Sequence, residues 1–125
     1  MKRLLLALSL LLLAAAASAR TTTMLNGATA LGYSPIVYMS QYATSVNRTF
    51  QATELCTGMC SATVNVYGSN DGVGWIQIGT ITLNGTSTPP LTDGFNSNAA
   101  WSMLQVYLSA ISGTGATVTV TLGAQ

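Results

Sequence analysis

Residues 62–83 read ATVNVYGSNDGVGWIQIGTITL, and this stretch decides the fold. Val64 and Val66 alternate with Thr63, Asn65 and Tyr67, the period-two pattern of a strand with one buried face. Gly68-Ser69-Asn70-Asp71-Gly72 then supplies turn chemistry: glycines for unusual backbone angles, and an aspartate that bonds the backbone just ahead of it. Trp75, Ile76 and Ile78 resume the apolar pattern, and Thr80 to Leu83 continue it. The stretch predicts a hairpin, with Asp71 as turn former and Trp75 as core anchor.

Toward the C-terminus, Leu104, Val106, Leu108 and Ala110 alternate with Met103, Gln105, Tyr107 and Ser109. Ser112-Gly113-Thr114-Gly115 has turn composition, and Val118, Val120 and Leu122 then alternate with Thr117, Thr119 and Thr121. Residues 101–122 are therefore expected to form a second hairpin. Residues 84–90, with Asn84-Gly85 and Pro89-Pro90, read as a loop, and 91–100 as irregular chain.

Toward the N-terminus, Val46 to Thr53 reads as a short strand around Phe50, and Tyr33 to Ala43 as another that starts near Pro35. Residues 20–32 are small, polar and weakly apolar, and read as an extended N-terminal arm. About seven or eight short strands result, with no amphipathic helical period after residue 19. The expected fold is all-β: a single antiparallel β-sandwich or jelly roll over residues 33–125. Phe50, Trp75 and Trp101 are its expected large core fillers.

Residues 1–19 differ from all of this. Lys2 and Arg3 precede an apolar run from Leu4 to Ala17, and Ala17-Ser18-Ala19 ends it with small residues. This is the layout of a signal-peptide-like apolar leader helix, with cleavage between Ala19 and Arg20. At ~1.5 Å per residue the run reaches roughly 21 Å, short of the ~30 Å hydrocarbon core, so no stable membrane span is expected.

Charge excludes several function classes. After the leader the chain carries Arg20 and Arg48 against Glu54, Asp71 and Asp93, with no lysine and no histidine. Nucleic-acid binding needs several basic contacts to phosphate, so it is not expected. A surface of Thr, Ser, Asn and Gln fits a protein packed against other protein subunits, whether copies of itself or a host lattice. Catalysis needs a base, a nucleophile or a metal. Each of the three carboxylates has a turn-forming or turn-flanking position that accounts for it, so the chain is expected not to be an enzyme. No cofactor or metal is expected, because zinc needs more ligands than Cys56 and Cys60 supply.

Those two cysteines, in Cys-Thr-Gly-Met-Cys, read as a disulfide pinning a local turn in an exported chain. Tyr33, Tyr38 and Tyr42 are the candidate interface residues. As strand residues they serve first in half-buried packing. If they stand exposed together, or Tyr67 does so with Trp75, the face would suit a carbohydrate.

The run Val64-x-Val66-x-Gly68-Ser69-Asn70-Asp71-Gly72-x-x-Trp75, followed by Ile78 to Thr82 and by Trp101 to Val120, resembles small β-sandwich proteins of tailed bacteriophages. These occur among virion decoration and tail-associated proteins. Gly68-Ser69-x-Asp71-Gly72-x-x-Trp75 is also similar to a turn of discoidin-like jelly-roll modules. The resemblance covers about half of the chain. It implies a virion component that binds a larger protein lattice. The chain departs from the phage pattern in having no arginine after Trp101, and a secretory-type leader is unusual for a virion protein. The alternatives are a secreted or cell-surface binding module for carbohydrate or protein, and an extracellular filament subunit that donates residues 20–32 to a neighbour's sheet edge.

Overall fold

A computed structural model describes residues 20–39, 47–85 and 89–124. The apolar leader, its cleavage residue Ala19, and Tyr42 lie outside the described residues. Seven strands form one antiparallel sheet: β1 (Arg20–Ala28), β2 (Gly32–Tyr33), β3 (Val37–Tyr38), β4 (Arg48–Ser69), β5 (Ile76–Leu83), β6 (Leu91–Ser97) and β7 (Met103–Ala124). The all-β antiparallel class expected from the sequence is observed.

Two of the strands are not short. β4 and β7 have 22 residues each and pair along their whole length. A straight strand of that size would reach about 70 Å, whereas a domain of ~100 residues has a radius of gyration of about 13 Å. Both strands therefore bend. The ladder loses register between Leu55 and Thr57, between Thr57 and Ser61, and between Thr63 and Val64. On one side of the bend, β1 and β6 flank β7 and β4; on the other, β2, β3 and β5 do.

Alternation is interrupted at the bend, where Thr57 to Met59 and Ser112 to Gly115 are all exposed, and it resumes beyond with the same inward face, which is how one sheet makes a two-layered core. Phe50, Ala52, Val64 and Val66 of β4 are buried, as are Leu104, Val106, Leu108, Val118, Val120 and Leu122 of β7, and all belong to one cluster. The halves meet at Phe95 of β6, which stacks on Phe50 at 5.2 Å between ring centroids and presses its ring edge against Gly79 of β5. A β-carbon at Gly79 would clash with that ring.

Four expectations are corrected. Residues 101–122 form no hairpin: Ser112 to Gly115 lie inside β7, where the chain bends without reversing. The cysteine segment is likewise a bend inside β4 and not a turn between strands. Residues 91–97 are a strand, β6, because Leu91 and Phe95 have the inner face of Glu54 and Phe50 to pair with. Trp75 is half-buried but outside the core cluster, since it precedes the first paired residue of β5, whereas Trp101 does pack on the core. Residues 20–28 form β1, a strand of the same sheet paired with β7 of the same chain. The hairpin at 62–83 is observed, with Ala62 opposite Leu83 and Gly68 opposite Ile76.

Candidate functional site

The outward face of β2, β3, β7, β4 and β5 carries most of the chain's tyrosines. Leu104, Val106 and Leu108 point inward, so Met103, Gln105 and Tyr107 point outward. Tyr33 pairs with Tyr107 and Tyr38 with Met103, and directly paired residues share a face. Both rings are well exposed, Tyr33 at 63% and Tyr38 at 57%. Tyr33 lies 4.4 Å from Tyr107 and 6.4 Å from Tyr67 between ring centroids, so three rings form one cluster. Four residues along β7 separate the Tyr33 row from the Tyr38 row, about 13 Å.

Polar side chains frame the rings. Gln77 donates to Thr80 (2.8 Å), Thr80 donates to Asn65 (3.2 Å), and Gln105 donates to the Ser34 carbonyl (2.8 Å). No charged residue occupies an outward position here: Arg48 and Glu54 of β4 are buried, and Asp71 lies in the turn beyond. Sequence reasoning named Tyr33 and Tyr38 but paired Tyr67 with Trp75. The signal for Tyr107 was its place on the Met103–Gln105 side of the alternation.

The Asp71 turn is structural. Its Oδ1 accepts from the backbone N–H of Val73 (2.8 Å) and Gly74 (2.9 Å) and from the Ser69 hydroxyl (3.1 Å). These bonds, led by that from Val73, hold its carboxyl below the ordinary value.

Glu54 is the unexpected group. It faces inward, opposite Leu91 and Val118, and is fully buried. Neither carboxylate oxygen has a hydrogen-bond partner. Burial pushes its pKa up. Asp93 is its diagonal neighbour across β4 and β6, but Asp93 is exposed and accepts from the Gly94 N–H (2.8 Å). A shallow groove of about 370 Å³ along β6 includes Asp93 and leaves Glu54 out. The two carboxylates do not frame a common cleft.

Cys56 and Cys60 form the expected disulfide. Among the described residues no cluster of three or more His, Cys, Asp or Glu exists, and no helix is long and apolar enough to cross a membrane.

No protein-family model matches the chain, and no curated protein matches it. Among solved structures it is similar to the SPBc2 prophage-derived protein YomS. The TM-score is 0.55 at 11% sequence identity, covering 86% of this chain and 92% of that one. At that identity the likeness is one of fold.

Proposed function

We propose that the chain is a non-enzymatic assembly protein, a bacteriophage virion component of the decoration or tail-associated kind. It binds a larger protein lattice through its outward tyrosine face. The observation that carries this reading is the Tyr33–Tyr107–Tyr67 cluster, continued by Tyr38, on a sheet face without charge. Exposed aromatics are enriched where proteins meet, and a stable contact buries ~800 Å² or more per partner. The fold shared with a prophage-derived protein supports the same reading. A disulfide is compatible with a particle, or a secreted chain, exposed to oxidising surroundings. The test is incorporation into particles: Y33S/Y38S should fold and yet be lost from purified particles, while T82S on the same sheet should be retained. Equal retention of both would refute the reading.

A second reading is favoured by the framing amides. Tyrosine rings flanked by Asn65, Gln77 and Gln105 offer stacking surfaces and hydrogen-bonding groups to a neutral sugar. Glycan binding that is abolished by Y33S/Y38S, with no particle association, would select it.

A further inference from the structure

Among the described residues the sheet ends in four places, and three of the ends are blunted. β1 slips register twice against β7, and such bulges twist an edge away from a neighbour. β2 and β3 have two residues each and are separated by Ser34-Pro35-Ile36, where proline offers no N–H. β6 carries the exposed charge of Asp93 and follows Pro89-Pro90. β5 has none of these devices. Its eight residues, IQIGTITL, include no charge and no proline, and the isoleucines and threonines favour an extended chain.

No described strand pairs with the outer side of β5. Its ladder with β4 is regular from Gly79 to Leu83, after a single slip at Ile78. Gly79 has no side chain and is only half-buried, so solvent reaches its backbone. The Phe95 ring covers its inner face and Val66 of β4 flanks one side, which leaves the outward face and the free edge as the exposed sides. A row of unpaired backbone donors and acceptors is a template for another strand. The charges that follow residue 19 are Arg20, Arg48, Glu54, Asp71 and Asp93, and none of them stands on β5 to repel one.

The other ends decide which strand fits there. Because β1, β2, β3 and β6 are poor templates, a second copy of the chain offers only its own β5, and a contact of one edge with itself closes as a dimer. Directly opposed residues share a face. Gly79, Ile81 and Leu83 stand opposite the inward Val66, Val64 and Ala62, so they must meet inward residues of the copy. An antiparallel pairing centred on Ile81 meets this condition and uses the whole regular run: Ile81 opposes itself, and Gly79 opposes Leu83. We propose that β5 is a dimerisation edge, through which two copies of this chain pair antiparallel about a two-fold axis at Ile81. The pairing joins the tyrosine faces of the two copies into one surface, and it does not depend on the virion reading.

The test is sedimentation velocity of the full chain, combined with amide exchange followed residue by residue. A ladder this short makes a weak contact, so a dissociation constant of about 10–100 µM is expected. Amides of residues 79–83 that point away from β4 should exchange about fivefold more slowly at ~500 µM chain than at ~5 µM. Thr80 is exposed and points outward, and in this register it lies diagonal to Thr80 of the second copy across the axis. T80K and T80E should therefore each weaken the dimer about fivefold by like-charge repulsion, with circular dichroism unchanged. An equimolar mixture of the two, at low salt, should dimerise at least as tightly as the parent. A parent chain that stays monomeric at ~500 µM, a dimer whose β5 amides are not slowed, or a mixture no tighter than the separate variants would overturn the proposal.

Discussion

Gly113 of β7 lies directly against Cys60 of β4: a β-carbon at 113 would stand 2.7 Å from the Cys60 Cβ and 3.2 Å from the Cys56 Sγ. Its φ of +124° is also one that side chains disfavour. The disulfide holds Cα atoms four residues apart at 6.1 Å, where an extended strand would place them about 13 Å apart. The two long strands bend together at this crossing, and the bend turns one sheet into two layers. G113A should therefore destabilise the fold by about 2–3 kcal/mol, a fall in melting temperature of roughly 10–20 °C. A thermal melt within about 2 °C of the parent would refute this account of the bend.

The disulfide itself closes a small loop. Replacing both cysteines, C56A/C60A, should cost about 2 kcal/mol, mostly by freeing the unfolded chain. Urea unfolding checks this. The fold should survive, because the buried ladder on either side of the bend is unchanged.

The contact between the two layers is open to a double-mutant cycle. F95A should cost about 2–3 kcal/mol by emptying the space over Gly79. G79A should cost about 1–3 kcal/mol by forcing the ring away. In the F95A background, G79A should be nearly neutral, giving a coupling of about 1 kcal/mol or more. Additive losses in urea titrations would mean that the ring and the glycine do not meet.

Glu54 and Asp71 predict opposite pH effects. Burial raises the Glu54 pKa above its ordinary 4.5, so its contribution to stability is complete below that value and is lost as pH rises through the folded-state pKa. Hydrogen bonds lower the Asp71 pKa below its ordinary 3.8, so its contribution is present above that value and is lost as pH falls through the folded-state pKa. Together they place a stability maximum between the two ordinary values. E54Q should remove the decline on the alkaline side, and D71N the decline on the acid side. Melting temperature against pH for the parent and both variants measures this, and a parent curve flat from pH 4 to 8 would contradict it.

Much of the fold was legible because it is written locally. Val64, Val66 and the Asp71 turn specify their hairpin within a few residues, and the inward set of β7 shows in strict alternation. The long bends were not legible. Ser112-Gly113-Thr114-Gly115 has the same composition whether a chain reverses or merely bends, and only continued pairing with β4 decides which. β6 was hidden because only Leu91 and Phe95 on its inner face are apolar. The site was half legible: Tyr33 and Tyr38 stood out by type. The burial of Arg48 and Glu54 depends on what β6, β7 and the segment at 99–103 place over them, and no local pattern carries that information.

The most direct measurement of the central claim is quantitative mass spectrometry of purified particles from a culture of the strain that carries the gene, before and after washing in about 1 M sodium chloride. Contacts made by an uncharged tyrosine face are barely screened at that ionic strength, where the Debye length is ~3 Å. The account predicts that the chain is present in the particles at a fixed ratio to the major structural protein and stays bound through the wash. Its absence from the particles, or its release by salt alone, would contradict the account.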